Sequence, residues 1–275
     1  MTPGEHEAAA PAEFSRYLSG ELLYGDDFAP EQIAAWYEDE KEGYADLGRR
    51  DRDAYFYSYH GLNIWHVYRH LPPVRLPRAL GFGSAYGHEF APIASRIDRL
   101  SIVDPSDAFV SRDLYGIPTE YVKPHVSGKL PFQSDVFDLI TCFGVLHHLP
   151  NVSYIFSELA RVLKPGGFLA IREPIISLGD WRHARPGLTK RERGIPLHVL
   201  HRLSGTHGLS LASEGLCIFP LTSRFFQSFF HGFNQPTAAR FDSFACHLFQ
   251  WNLRYHARTL FQKFRPTSAY LLIRK

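Results

Sequence analysis

Apolar positions change their spacing along the 275-residue chain, and each change predicts a different kind of structure. Up to about residue 70 the spacing is helical. Ile33, Trp36 and Tyr37 share one face behind Asp26, Asp27 and Pro30, and a proline suits a first helical turn because its missing N–H has no partner there anyway. A second helix is predicted over about 53–70, carrying Tyr57, Leu62, Ile64, Trp65 and Tyr68. Leu71-Pro72-Pro73 stops it, since a residue before proline is pushed out of the helical region.

Beyond that point short apolar runs take over. Strands are predicted at 78–82, 100–104, 120–122, 136–143 and 168–171, separated by helical spacing at about 90–97, 106–115 and 151–163. The last of these opens on Asn151 as a cap and shows Val152, Ile155, Leu159 and Val162 as one stripe. Strands alternating with helices imply right-handed crossovers and a parallel, doubly wound α/β sheet. After Pro174 the alternation lapses into a basic loop (176–194), a helix (196–206), a strand (211–219), two aromatic helices (221–233 and 237–263) and a last strand (268–273). The organisation expected is an unstructured 1–12, a helical extension over 13–73, and one domain over 74–275 with an acceptor-side insertion at about 175–265.

Composition narrows the classes. With 45% hydrophobic residues the chain can build a sizeable core without staples. No run approaches the ~18 apolar residues of a membrane span, and the start, with Glu5, His6 and Glu7, has no apolar stretch of the signal-peptide kind. Cys142, Cys217 and Cys246 are far apart with no CxxC, which fits a reducing compartment and speaks against a cysteine zinc site. A cytoplasmic protein is expected. The net charge of +2 hides an asymmetry: residues 1–57 hold 14 acidic and 5 basic groups, residues 175–275 hold 4 acidic and 14 basic. Either the two ends face each other, or the basic part attracts an anion.

The candidate chemistry begins at Gly81-Phe82-Gly83, where the first strand turns into a helix. Glycines let a backbone bend tightly and approach a ligand. Asp104 lies 21 residues after Gly83, at the end of the next strand, where a carboxylate can hold a ribose hydroxyl pair. A dinucleotide cradle would want a third glycine at position 86; Tyr86 stands there, with Gly87 one place later. A nucleoside cofactor without a pyrophosphate is the better match, and a nicotinamide-dependent oxidoreductase the weaker one.

Leu80-Gly81-Phe82-Gly83, Ile102-Val103-Asp104-Pro105, Leu130-Pro131-Phe132, Phe137-Asp138-Leu139-Ile140, Val145-Leu146-His147-His148-Leu149 and Arg161-Val162-Leu163-Lys164-Pro165-Gly166-Gly167 occur in that order. Together they resemble class I S-adenosylmethionine-dependent methyltransferases of the small-molecule type, over about 78–174 plus the closing strand. The resemblance implies a Rossmann-like seven-stranded sheet with its last strand antiparallel, and S-adenosyl-L-methionine held by Gly81, Phe82, Gly83, Asp104, Pro105 and Phe143. Two positions depart from the family pattern. Ala79 stands where an acidic residue usually precedes the first glycine, and Val126 to Lys129 lack the acidic residue that holds the adenine amino group. Because of these departures a non-catalytic binding or scaffold protein is the alternative to an enzyme.

For the reaction itself, His148 at the carboxyl edge of the sheet is the candidate base, with an architectural role as its bland counterpart. Arg172, Arg182 and Arg191 are candidate partners for a small, anionic acceptor such as a metabolite or a glycan or lipid precursor; the bland reading pairs the loop with the acidic N-terminal part. His60, Asn63 and His66 read as lid residues or as polar tips of aromatic packing, and no metal is expected. The phenylalanines at 225, 226, 229, 230 and 233 and the stripe Phe241, Phe244, Leu248, Trp251, Tyr255 read first as a buried face or a homodimer contact, and second as an acceptor pocket or lipid contact. No motif for entering a nucleic-acid groove is present.

Overall fold

The computed structural model describes residues 11–48 and 55–275. Its centre is an eight-stranded sheet of β1 (Leu76–Phe82), β2 (Ile97–Val103), β3 (Asp113–Leu114), β4 (Ile117–Val122), β5 (Phe137–Phe143), β6 (Leu163–Pro174), β7 (Ser210–Cys217) and β8 (Ser268–Arg274). The order is β3-β4-β2-β1-β5-β6-β8-β7. Strands β4, β2, β1, β5 and β6 run parallel, and β8 is antiparallel to both its neighbours. The chain runs outward from β1 first through β2 and β4, then restarts on the other side at β5. That reversal opens a crevice at the carboxyl ends of β1 and β5, where open α/β sheets bind ligands.

The doubly wound, Rossmann-like architecture is the one the alternation predicts. The additional strand is β3, and it replaces a helix expected over 106–115. Only Asp107–Phe109 makes a single 3-10 turn there. Tyr115 and Gly116 both take positive φ, at 57° and 79°, as the primed turn of a two-residue hairpin requires. Asp113 Oδ1 accepts the Gly116 N–H at 2.9 Å and holds the turn.

The helices are α1 (Pro11–Ser19), α2 (Pro30–Gly48), α3 (His60–His66), α4 (Val152–Val162), α5 (Leu197–Thr206), α6 (Pro220–Phe230) and α7 (Pro236–Phe249). Helix α1 starts at Pro11, within the stretch expected to be unstructured, and residues 1–10 lie outside the described residues. The helix expected over 53–70 is α3 followed by a 3-10 turn at Tyr68–His70; its first two residues also lie outside. His88–Arg96 winds as a 3-10 helix, and Pro92 inside it has no N–H for an α-helical bond. Helix α7 ends at Phe249, short of the predicted 263. The Asn252 amide donates to the carbonyls of Phe261 and Phe264 at 3.0 and 2.8 Å, folding that segment back on itself. Asn151 precedes α4 without capping it. Its φ is 43° and its amide donates to the Ser127 carbonyl at 2.9 Å. The cap comes from far along the chain: Asp26 Oδ1 accepts the Ser153 N–H at 2.7 Å.

Period-two alternation along the strands splits the core into two layers. Ile140, Leu169 and Leu271 face α4 and α5, meeting Phe156, Leu159 and Leu200. Leu139, Ala170 and Leu272 face the other way, toward Leu62, Phe90 and Phe233. Each such large side chain contributes about 1.5–3 kcal/mol on burial. With both faces of the sheet covered, only the loops at the strand ends remain for chemistry.

Candidate active site

Strand β1 ends at Phe82, and Gly83 turns the chain with φ +67°. A Cβ on Gly83 would stand 2.5 Å from the Val145 side chain, so both the backbone angle and the space demand glycine. The Gly83 N–H donates to the Val103 carbonyl at 2.8 Å, which ties this bend to the end of β2. Asp104 follows immediately. Its carboxylate, 4% exposed, accepts the Ala85 and Ser106 N–H groups at 3.0 Å each. Burial pushes its pKa up to about 6, against the opposing pull of those two bonds and of Lys123.

These residues border a cleft at the carboxyl edge of the sheet. Phe82, Gly83, Asp104 and Pro105 form the sheet-side wall; Val145 and His148 come from the loop after β5. Tyr37 and Glu40, from α2, cover the cleft. The Tyr37 phenol is raised to about 12, first by burial and then by the Asp104 charge, so it presents a neutral hydroxyl.

A second cavity shares Gly83 with the first and continues past Ser84, Ala85 and Phe143 to Glu89 and Arg172. Arg172 is buried, stacks on the Tyr59 ring at 3.9 Å and donates to the Tyr270 hydroxyl at 3.3 Å. Burial raises the Glu89 pKa to about 7, with the Ser84 hydroxyl opposing. Glu89 is beyond the reach of the sequence reading: it lies on the 3-10 segment behind the glycine bend, and no spacing signal sets it apart. Tyr37 and Glu40 are missed for the same reason, because only tertiary packing lays α2 across the cleft.

The turn carrying His147 and His148 is rigidly held. Glu173, at the end of β6, accepts the N–H groups of Val145, Leu146 and His147 at 2.9, 2.8 and 3.3 Å, and the His147 Nδ1 proton at 2.7 Å. Buried Arg193 donates to the carbonyls of Leu146, His147 and Leu149 at 2.8–3.1 Å. Burial alone would depress the His147 pKa, but Glu173 and Glu192 overcome it and raise the value to about 9. One atom each of His147, His148 and Glu192 lie within 4.8 Å of one another, a spacing that could suit a cation. His148 contributes to the cleft wall, with Nδ1 3.1 Å from Glu40 Oε2 and its carbonyl accepting the Trp36 indole N–H at 2.7 Å.

The structure therefore brings Phe82, Gly83, Asp104, Pro105 and His148 to one cleft, and Phe143 and Arg172 to the adjoining cavity. Gly81 sits just below, where a Cβ would press to 2.9 Å from Phe90. Arg182 and Arg191 line neither cavity. Arg191 Nε donates to Asp39 at 2.6 Å and Lys190 reaches the same carboxylate at 3.2 Å, so here the basic loop meets the acidic N-terminal part. Arg182 pairs with Asp180 at 2.8 Å and lies over the Phe14 ring. Asn63 and His66 serve packing: Asn63 bonds the Tyr57 and Tyr270 hydroxyls at 2.8 and 2.5 Å, and His66 stacks on Tyr270, its pKa lowered to about 3 by burial.

Residues 80–171, the segment that builds both cavities' glycine bend and the Asp104 anchor, match the family described as a methyltransferase domain. The resemblance to class I S-adenosylmethionine-dependent methyltransferases is carried by this stretch, about a third of the chain. An S-adenosylmethionine-dependent methyltransferase from Mesorhizobium loti shares the fold, with a TM-score of 0.50 and 15% identity over 74% of this chain and 94% of that one. The ubiquinone biosynthesis O-methyltransferase of Pectobacterium atrosepticum is 31% identical over 52 residues, 19% of this chain and 22% of that protein. A sterol 4-C-methyltransferase of Caenorhabditis elegans is 30% identical over 86 residues, 31% of this chain and 24% of that protein. The chain thus matches about a quarter or less of each of these two curated relatives, and their acceptors differ in kind. S-adenosyl-L-methionine is the cofactor of these methyltransferases.

Proposed function

We propose that this protein binds S-adenosyl-L-methionine and transfers its methyl group to a small-molecule acceptor. The observation that carries the reading is the convergence of the Gly83 bend and the Asp104 carboxylate on one cleft, with a second, oppositely charged cavity opening from the same glycine. When bound, the cofactor supplies a methyl group on a sulfonium, an already activated leaving arrangement. The protein's task is then to hold, align and keep water out.

Asp104 accepts the ribose hydroxyls on the lone pairs that Ala85 and Ser106 leave open, and Pro105, Val145 and Phe82 pack the adenosyl group. Glu89 and Arg172 offer a carboxyl and a guanidinium on the far side of Gly83, which suits the ammonium and carboxylate of an amino-acid end. This gives Arg172 to the cofactor rather than to the acceptor. It also answers the departure at Ala79, because Glu89 supplies an acidic group to the same turn from the segment behind it. Tyr37 and Glu40 close the cleft, and His148 beside Glu40 is the base available to an acceptor hydroxyl. With Arg182 and Arg191 engaged by Asp180 and Asp39, the acidic-acceptor reading loses two of its three arginines, and the acceptor is read more broadly as a small molecule with an oxygen or nitrogen nucleophile.

Isothermal titration with S-adenosylmethionine and S-adenosylhomocysteine tests the binding step. Micromolar affinity for both is expected; no binding at millimolar concentration would favour a scaffold protein. Untargeted mass spectrometry of metabolites incubated with the protein and labelled cofactor then tests transfer, the expected result being a methyl-sized mass gain on at least one species.

A further inference from the structure

We propose that α6, α7 and the segment after them form a docking surface for an anionic lipid bilayer. The surface is built inside out. Helix α7 turns Ala238, Ala239, Asp242 and Cys246 toward the protein and Phe241, Phe244 and Leu248 toward solvent, and Trp251 in the turn after it is exposed too. Helix α6 does likewise with Phe225, Phe229 and Phe230. Exposure reaches 70% at Phe229, 63% at Trp251 and 77% at Leu260. The rings cluster: Phe225 meets Phe229 at 5.3 Å, Phe226 bridges α6 to Phe241 on α7 at 6.2 Å, and separately Trp251 meets Phe261 at 5.9 Å. Isolated exposed apolar residues are ordinary, but clusters of exposed aromatic tips on successive segments are not.

Charge identifies the occupant. Arg224, Arg240, Arg254, Arg258 and Lys263 are all exposed among these rings. Between 219 and 267 the single carboxylate is Asp242. It is buried and spent on the Ile218 and Phe219 N–H groups at 2.7 and 2.9 Å. A second copy of this chain would set the same cations against each other across a two-fold axis, with no exposed carboxylate from residues 219–267 to offset them. An anionic membrane surface supplies what this face lacks: negative headgroups for the arginines and an apolar boundary layer for the aromatic tips. A cleft that takes Arg254 and Arg258 into its lining opens at its edge, a place for a headgroup phosphate. No helix among the described residues is long and apolar enough to cross a membrane, so the contact is peripheral.

The test is flotation of the full chain with vesicles of phosphatidylcholine alone, or of phosphatidylcholine with phosphatidylglycerol. Binding to the anionic vesicles is expected, falling with salt toward the weak binding seen on the neutral ones. Replacing Arg224, Arg240 and Arg258 by Gln should weaken it on the order of 100-fold, at roughly one kcal/mol per charge near the surface. A Phe229→Ser, Phe244→Ser, Phe261→Ser variant should lose it while keeping its circular dichroism and its S-adenosylhomocysteine affinity. The blue shift of tryptophan emission on binding should disappear in Trp251→Phe. The proposal is overturned if neither vesicle binds, if the serine variant binds like the parent, or if the parent instead forms a concentration-dependent dimer that the serine variant abolishes. Because cofactor affinity is measured in the same samples, failure of the surface and failure of the methyltransferase reading give different results.

Discussion

Changing Asp104 to Asn keeps the shape of the side chain and removes its charge. In the free protein the folded-state pKa is raised from 3.8 to about 6, so the fold binds this proton more tightly than the unfolded chain does. Stability attributable to Asp104 therefore falls as pH rises from about 4 to about 6, by roughly 3 kcal/mol in all. The cleft carries an ionised carboxylate at a cost to the fold, and ribose hydroxyls donating to it recover part of that cost. Cofactor binding should draw on the ionised form alone. Affinity for S-adenosylhomocysteine should then be about tenfold weaker at pH 5 than at pH 7, because at pH 5 about one molecule in ten is ionised. Asp104→Asn should lose about 1.5–3 kcal/mol of binding at pH 7, the value of hydrogen bonds to a charged group. It should also bind with a shallower pH dependence than the parent, the remainder coming from Glu89 with its pKa raised to about 7, and its unfolding free energy should decline less between pH 4 and 6 than the parent's. Calorimetric titration at the two pH values and urea unfolding across that range measure all three effects. A variant that binds like the parent, or whose affinity depends on pH as steeply as the parent's, would refute the assignment.

Four further outcomes follow from the geometry. Gly83→Ala forces a positive φ on alanine and a methyl group against Val145, and should cost about 1–3 kcal/mol of stability in denaturant unfolding and remove cofactor binding. Arg172→Met should weaken S-adenosylhomocysteine by about tenfold or more and leave 5′-methylthioadenosine, which lacks the amino-acid end, unaffected; equal losses for both ligands would remove Arg172 from that role. His147, with a folded pKa of about 9 against 6.5 unfolded, contributes stability that is complete below pH 6.5 and lost as pH rises through 9, and His147→Asn should flatten that part of the unfolding profile. Trp36→Phe removes the bond to the His148 carbonyl that fastens α2 over the cleft, and should cost about 0.5–1.5 kcal/mol and speed cofactor release in stopped-flow measurements.

Where the hydrophobic pattern is local and strong, the sequence and the structure agree. Strands β1, β2, β5, β6 and β8 all fall within a few residues of their apolar runs, and α4 follows its stripe of Val152, Ile155, Leu159 and Val162. The disagreements sit where a distant group intervenes. Asn151 gives up its cap because Asp26 supplies one from elsewhere in the chain. The aromatic helices carry an amphipathic pattern that periodicity reads as a buried face. Period cannot say which side of a helix meets the sheet, and here the small residues Ala238, Ala239 and Cys246 do.

The cleft divides along the same line. Gly81, Gly83 and Asp104 are legible because chain geometry at a strand end needs those residue types at that spacing, whatever surrounds them. The partners of the arginines were not legible, since a guanidinium looks the same in sequence whether it meets a ligand, as Arg172 is placed to do, or is consumed by Asp39 or by backbone carbonyls, as Arg191 and Arg193 are. By itself the sequence determined the sheet, the glycine bend and the acidic anchor, because these follow from forces acting within a few residues or across one crossover. Only the tertiary structure decided that Tyr37 and Glu40 roof the cleft, that Glu89 stands behind the bend and that the phenylalanines face outward. Those outcomes depend on which surfaces compete for burial, and that competition is settled among groups far apart in the chain.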